Sequence, residues 1–291
     1  MTSVDEALRQ ARTELEAAGI ENARTEARLL LGHTLNLSAA RILSRGQDDV
    51  DAGAFQSFQS DVTRRAGGMP LAYITGIREF WSLALAVTPA TLIPRPDSET
   101  LVELAVDLFK GRAGPETILD LGTGSGCLLL ALLTEYREAR GLGIDLSAAA
   151  CLVARGNALA LGLALRSEWM AGSWSECRLG KYNLIVSNPP YIPAGDIASL
   201  DVSVRNFEPD QALDGGADGL DAYRSLFPVA AMALKDDGLL VVEIGIGQHA
   251  DVAGIAVANG LSAGPVKADL AGIERALSFY KKGVGISEST R

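Results

Sequence analysis

The chain is predicted to be an α/β protein. A mostly parallel sheet between layers of helices should follow a small all-α domain and a β-hairpin linker. Three observations predict this. Up to about position 70 the apolar residues recur at helical spacing, whereas from Thr117 onward short apolar runs alternate with helical stretches. Two of those runs end in sharp corners, Gly122-Thr123-Gly124-Ser125-Gly126 and Asn188-Pro189-Pro190-Tyr191. A third, Gly141 to Asp145, ends on a carboxylate.

The 291 residues leave room for two domains, and a hydrophobic fraction of 48% supplies a full core. The longest apolar runs, such as Cys127 to Leu133, are too short to span a bilayer. The start, Met1-Thr2-Ser3-Val4-Asp5-Glu6, lacks the basic and apolar regions of a signal peptide. Cys127, Cys151 and Cys177 form an odd, scattered set with no disulfide framework and no metal spacing, and His33 and His249 add no ligand pattern. A reduced, cytoplasmic protein with no metal and no membrane attachment is therefore expected. The formal net charge of −10 argues against broad electrostatic capture of nucleic acid.

Residues 1–70 read as a helical domain. Ser3 with Glu6 three positions later forms a capping box, followed by Ala7, Leu8, Ala11 and Leu15 at helical spacing and Gly19 as a stop. Asn22 is placed to cap a second helix carrying Ala23, Ala27, Leu30 and Leu31. A third is expected from Asp51 to Ala66, ended by Gly67-Gly68. Such a bundle suits either a stabilising cap or a docking surface for a macromolecule. From Pro70 the pattern changes, and residues 71–93 read as a strand pair linking the two domains. Its aromatic pair, Phe80 and Trp81, fits core better than the wall of a site. Pro94-Arg95-Pro96 breaks the chain, and Asp97-Ser98-Glu99 precedes a capped amphipathic helix with Leu101, Val102, Leu104, Ala105 and Leu108.

Residues 94–291 form the second domain. Thr117 to Leu121 is a strand running into the Gly-rich turn, Cys127 to Tyr136 a helix, and Gly141 to Asp145 a second strand. Asp145 stands 19 positions after Gly126, the layout of a nucleotide-binding βαβ unit in which the later acid takes the ribose hydroxyls. A nicotinamide dinucleotide calls for G-x-G-x-x-G, but here the spacing is G-x-G-x-G with Cys127 next. Asp120 immediately before the turn would repel a pyrophosphate, yet suits a cationic ligand bearing an amino acid. S-adenosylmethionine is such a ligand. Trp169 to Trp174 passes from a short strand into a loop that flanks an adenine in this layout, so Trp174 either stacks on that ring or packs in the core. Further helices over Asp218 to Leu234 and His249 to Ala258, a buried strand over Gly238 to Gly245, and alternating segments near Val266 and Leu277 to Tyr280 complete the sheet.

The strand Tyr182 to Val186 ends at Ser187-Asn188-Pro189-Pro190-Tyr191. Neither proline has an N–H, and Pro189 forces Asn188 into an extended conformation. The corner carries an Asn amide, a bare proline carbonyl and an aromatic ring, and can hold a flat group that donates two hydrogen bonds. On its own Asn-Pro-Pro is simply a turn. Beside a Gly loop and a ribose-type acid at neighbouring strand ends, it reads as a clamp for an amino group.

Nearly the whole chain resembles the HemK-type (PrmC) protein-glutamine N5-methyltransferases. The resemblance rests on Ala72 to Gly76, Glu79-Phe80-Trp81, Leu92-Ile93-Pro94-Arg95-Pro96, Asp120 to Gly126, Ser187 to Ile192, and Glu208-Pro209 with Ala212-Leu213. It implies a helical domain that docks a class I peptide chain release factor, followed by a Rossmann-like S-adenosylmethionine-dependent methyltransferase domain. It also implies methylation of the glutamine in a Gly-Gly-Gln motif. By position, Gly122, Thr123, Gly124, Ser125 and Gly126 would contact the cofactor, Asp145 its ribose and Trp174 its adenine. Asn188, Pro189, Pro190 and Tyr191 would hold the target glutamine, with Asn188 also against the cofactor. Two departures are visible: Asp97-Ser98-Glu99 replaces the usual Glu-Thr-Glu, and Ser173 stands where an Asp is common. The rival expectation is an N-methyltransferase for an exocyclic amine of a DNA or RNA base, which would use the same corner. The helical domain and the absence of a basic tail favour the protein substrate.

Overall fold

The computed structural model describes residues 2–281, so positions 282–291 of the second domain lie outside the described residues. By spatial contact the chain divides into two units. One runs to Ile77 and takes in Asp201–Phe207; the other comprises Arg78–Leu200 and the chain from Glu208 onward.

The first unit holds β1 (Thr2–Ser3), α1 (Val4–Ala17), α2 (Ala23–Leu35), α3 (Ala39–Leu43), β2 (Asp49–Val50), α4 (Ala52–Ala66) and α5 (Leu71–Thr75). The periodicity explains the core: α1 buries Val4, Ala7, Ala11 and Leu15, and α4 contributes Phe58 and Val62 to the same cluster. Ser3 caps α1 by accepting the Glu6 N–H at 3.2 Å, as the capping box predicts. Asp51 caps α4 through the N–H groups of Gly53 and Ala54. Asn22 makes no side-chain cap.

The linker differs from the sequence expectation. Leu71–Thr75 is a helical turn, not the first strand of a pair, with Tyr73 and Ile74 buried and Gly76 closing it at φ +74. A run of five residues is too short for periodicity to separate helix from strand. The hairpin is β3 (Ile77–Phe80) and β4 (Leu83–Ala86), turning at Trp81 and Ser82. Both turn residues have positive φ, 52 and 59, the conformation that glycine or asparagine usually supplies in a two-residue hairpin. Trp81 is held there by two carboxylates. Its N–H donates to Glu99 at 2.8 Å and its indole N–H to Glu135 at 2.7 Å. Phe80 is buried in the sheet's core, in agreement with the core reading.

The rest of the second unit follows as α6 (Glu99–Leu108), β5 (Thr117–Leu121), α7 (Cys127–Glu135), β6 (Arg140–Asp145), α8 (Ala148–Ala160), β7 (Ser167–Ala171) and β8 (Tyr182–Ser187). After α9 (Val202–Arg205), which belongs to the first unit, come α10 (Asp221–Ala233), β9 (Leu234–Glu243), α11 (His249–Ala258), β10 (Leu261–Ala268) and β11 (Glu274–Lys281). Seven strands form one sheet in the order β10-β11-β9-β8-β5-β6-β7. The pairs from β9 to β7 are parallel, and β11 is antiparallel to both of its neighbours. Alternate residues enter opposite cores. Ile118, Leu184, Val186 and Val241 face one side, while Leu119, Ile185, Leu240 and Val242 face the other.

The topology places the site. From β5 the chain winds outward through β6 and β7, then returns to lay β8 on the opposite edge of β5. The crevice beyond the carboxyl ends of β5 and β8 is therefore a switch point, where ligands bind in sheets of this kind. The hairpin is tied to this crevice by Asn157 on α8. Its Oδ1 accepts the Ala86 N–H at 2.7 Å, and its Nδ2 donates to the carbonyls of Ala86 at 3.0 Å and Ser125 at 2.9 Å. Asn157 is buried, so N157A leaves the Ala86 N–H unpaired and is expected to cost about 1–3 kcal/mol. Urea unfolding should show this as a lower midpoint at unchanged slope.

Candidate active site

A cavity of about 230 Å³ opens at the switch point. Its walls include Gly122 to Ser125, Asp145 and Trp174 on one side and Asn188 and Pro190 on another, together with Arg95, Ser98 and Gln211. The loops after β5, β6 and β8 thus meet at one place. Asp120 pairs with Val186 across β5 and β8, and the Ser187 hydroxyl donates to the Leu121 carbonyl at 2.6 Å, fastening the two corners together.

The Gly loop is folded by its own backbone. The N–H groups of Gly122 and Thr123 both donate to the Ile144 carbonyl, at 2.8 and 3.0 Å, and Gly126 donates to Thr123 at 2.8 Å. The Gly124 N–H donates to the Asp145 carboxylate at 2.8 Å. The N–H groups of Gly122, Thr123, Gly124 and Gly126 are thus committed inside the protein, which leaves fewer donors of the loop free for a pyrophosphate. Gly126 adopts φ +82, and a Cβ there would lie 2.8 Å from the Trp169 ring. The glycine serves close packing against β7, and Gly126 is absent from the cavity wall.

Asp145 accepts twice, from Gly124 and from the Ser147 N–H at 2.8 Å, and still lines the cavity with lone pairs to spare. Trp174 lines it as well and fixes its ring by donating Nε1–H to the Ser225 hydroxyl at 3.3 Å. Ser173 bonds its neighbour Ser175 and stays off the wall. Asp120, expected to face a cationic ligand, lies instead fully buried beneath the loop. Its Oδ2 accepts the Thr123 hydroxyl at 2.6 Å, and burial pushes its carboxyl up to about 7. Its Oδ1 and the Ser125 hydroxyl are buried with no hydrogen-bond partner. A buried carboxyl beneath the Gly loop disfavours a phosphate above it.

At the proline corner, Asn188 and Pro190 reach the cavity. No hydrogen bond to the Pro189 carbonyl occurs among the described residues. Tyr191 does not present its ring to the cavity, contrary to the expectation from sequence. Its phenol turns inward and donates to Glu243 Oε1 at 3.2 Å, where burial raises its pKa. Sequence reasoning missed two members of this corner. Ser98, expected to cap α6, makes no cap; it sits in a 3-10 turn with its hydroxyl 2.5 Å from Glu243 Oε2, and it accepts Asn188 Nδ2 at 3.0 Å. Glu243 ends β9 one position beyond Val242, the partner of Ser187. A carboxylate at the end of a buried parallel strand is the sequence signal that points to it.

Arg95 and Glu208 brace the opposite wall. The buried Glu208 carboxylate takes the Arg95 guanidinium at 2.5 Å and the Ile93 N–H at 3.0 Å. Among the described residues no cluster of His, Cys, Asp or Glu could hold a metal ion, and no helix is long and apolar enough to cross a membrane.

Comparison with known proteins agrees with this geometry. Residues 6–76 match the PrmC N-terminal domain, and residues 100–207 match the methyltransferase small domain. The release factor glutamine methyltransferase of Rhodospirillum rubrum is 46% identical over 93% of this chain and 83% of its own length. That of Bradyrhizobium diazoefficiens is 44% identical over 96% of this chain and 95% of its own. Among solved structures, the catalytic domain of hMettl16 in complex with the MAT2A 3'UTR hairpin 6 superimposes with a TM-score of 0.57 at 15% identity, over 76% of this chain and 81% of that one. At that identity the likeness concerns the fold alone. A cavity at the switch point of a methyltransferase sheet, a helical unit of the PrmC type and relatives matching along nearly the whole chain lead to one assignment: the chain belongs to the release factor glutamine methyltransferase family.

Proposed function

We propose that this protein methylates the side-chain amide nitrogen of the glutamine in the Gly-Gly-Gln motif of class I peptide chain release factors, with S-adenosylmethionine as donor. The observation that carries the reading is Asn188. Its amide NH2 is tied to Ser98, and its Oδ1 takes no hydrogen bond from the described residues at the edge of the cavity. An unpaired acceptor there fits a substrate that donates N–H.

When bound, S-adenosylmethionine supplies an electrophilic methyl group on a positively charged sulfur. In this reading Gly122, Thr123, Gly124 and Ser125 shape the wall for it, Asp145 accepts its ribose hydroxyls, and Trp174 flanks its adenine. Gly126 supports the loop from behind. Asp120, buried beneath the loop, supplies negative potential there when ionised.

An amide nitrogen is a weak nucleophile, because its lone pair is delocalised into the carbonyl. Asn188 Oδ1 and the Pro189 carbonyl each accept one of its two N–H groups, fixing the nitrogen and raising its electron density. Each bond contributes about 1 kcal/mol net. Holding the nitrogen in a reactive orientation contributes more, up to roughly 7–11 kcal/mol in ideal cases. Pro190 and Tyr191 stiffen the corner, so the two acceptors keep their spacing. The methylated nitrogen is strongly acidic and loses its proton to water, so no side-chain base is required. The reading includes a cytoplasmic location, supported by three free cysteines in a chain with no disulfide.

Incubating the protein with labelled S-adenosylmethionine and either a release factor or total RNA tests the assignment. Label is expected in the release factor; label in RNA alone would transfer the corner to the base-amine reading.

A further inference from the structure

Glu243 is a buried carboxylate that the mechanism above does not use. It is 1% exposed, and it sits at the centre of a hydrogen-bonded chain that ends on Asn188. Its Oε2 faces the Ser98 hydroxyl at 2.5 Å and its Oε1 the Tyr191 phenol at 3.2 Å. The Ser98 oxygen in turn faces Asn188 Nδ2 at 3.0 Å.

The order of donors follows from proton count. Ser98 has one hydroxyl proton, and an ionised carboxylate can only accept. The proton therefore points to Glu243, leaving the Ser98 lone pairs to face Asn188. Only the NH2 end of the Asn188 amide can donate to them, so its oxygen is turned the other way. If Glu243 were neutral it could donate to Ser98 instead. The Ser98 proton would then be free to point at Asn188 and favour the flipped amide, which would present NH2 to the cavity. A flipped amide meets a substrate NH2 donor to donor and cannot hold it.

We infer that Glu243, acting through the Ser98 hydroxyl, is the positioning residue that turns the Asn188 amide so that its oxygen faces the substrate nitrogen. The inference rests on the reading of the cavity as an amide N-methylation site. Tyr191 contributes to the same orientation, because its phenol occupies the second carboxylate oxygen and ties the corner to the same anion.

The surroundings of Glu243 tune this device. Burial is the main influence and pushes its carboxyl up to about 7, with Ser98 and Tyr191 opposing through their hydrogen bonds. Arg275 on β11 also favours the anion, and Asp97 in the 3-10 turn disfavours it. Tyr223 on α10 donates to the Glu243 backbone carbonyl at 2.8 Å, and the Cys127 thiol on α7 senses the same charge. The raised value means that proton binding favours the folded state. That contribution is complete below the ordinary value of 4.5 and is lost as pH rises through about 7. The ionised carboxylate is thus present at mildly alkaline pH at a cost in stability, as expected of a group kept for orientation.

Three variants test the relay. In the intact protein, turnover at saturating substrates should fall about tenfold per pH unit below roughly 7, the behaviour of one essential anion. E243Q should lower turnover at pH 8 by at least about tenfold and erase that acid limb, with cofactor affinity and thermal midpoint at pH 8 maintained or raised. S98T and S98V share a shape and differ in the hydroxyl; S98T should retain most turnover and S98V should lose at least about tenfold. An E243Q profile that keeps the acid limb, or equal turnover in S98T and S98V, would overturn the relay. So would loss of activity in step with a falling midpoint. Should the intact protein leave release factors unmethylated, the functional reading fails by itself. The relay is then decided by the side-chain amide signals of Asn188, assigned from their loss in N188A. Movement of those signals with a midpoint near 7, absent in E243Q, supports it; no movement overturns it.

Discussion

Replacing Asn188 by alanine is expected to lower turnover by about 10²–10³-fold, the loss typical when one aligned hydrogen-bonding group is removed from a reacting centre. Cofactor affinity should stay close to that of the unaltered chain, because Asn188 follows β8, while the Gly loop and Asp145, proposed to hold the cofactor, follow β5 and β6. The fold should survive. Asn188 is half-buried, and its one side-chain hydrogen bond among the described residues is the donation to Ser98. Losing that donor leaves Ser98 an acceptor without a partner, worth about 1–3 kcal/mol. N188D is a sharper control, since it keeps the oxygen toward the cavity but turns a second acceptor on Ser98. That oxygen has no proton left to give while Glu243 is ionised. Single-turnover rates with cofactor bound in advance separate the chemical step from binding. Rates near normal in N188A would remove the corner from the mechanism.

Asp145→Ala should weaken S-adenosylmethionine binding by about 10–100-fold, in line with 1.5–3 kcal/mol for hydrogen bonds to a charged acceptor. The effect has two sources in the structure. The carboxylate lines the cavity, and it also holds the Gly124 and Ser147 N–H groups at 2.8 Å each. Alanine removes a ligand contact and releases the loop that shapes the site. Asparagine keeps one acceptor oxygen and should restore part of the loop contact without the charge, so D145N should fall between the two. Calorimetry on the three proteins gives the ranking directly. Unchanged affinity in D145A would exclude Asp145 from the cofactor site.

Much of the sheet was legible because both of its faces are buried, which makes its strands continuous apolar runs bounded by glycine, proline or an acid. The Gly loop, Asp145 and Asn188 were legible for a related reason: each stands at the carboxyl end of such a run. Trp174 had two candidate places, and the structure gives it both, lining the cavity and packing against the core beneath it. The turn at Trp81-Ser82 carries none of the residues that signal a hairpin. It is held by Glu99 and Glu135, 18 and 54 positions away in sequence. Ser98 escapes a local reading for the same kind of reason. In sequence it resembles a helix cap, but a carboxylate 145 positions distant takes its proton. Tyr191 lies at the expected corner and Asp120 on the strand just before the Gly loop, yet neither side chain turns to the cavity. Chain direction fixes where a residue sits, whereas burial and partners from other strands decide where its side chain turns.

The central claim is that the corner after β8 clamps an amide NH2 group. The most direct measurement is mass spectrometry of a class I release factor after reaction with labelled S-adenosylmethionine, fragmenting the peptide that contains Gly-Gly-Gln. The prediction is one labelled methyl on the side-chain nitrogen of that glutamine, absent with N188A and absent when the glutamine is replaced by glutamate. Label on any other residue, or label that persists in either control, would contradict it.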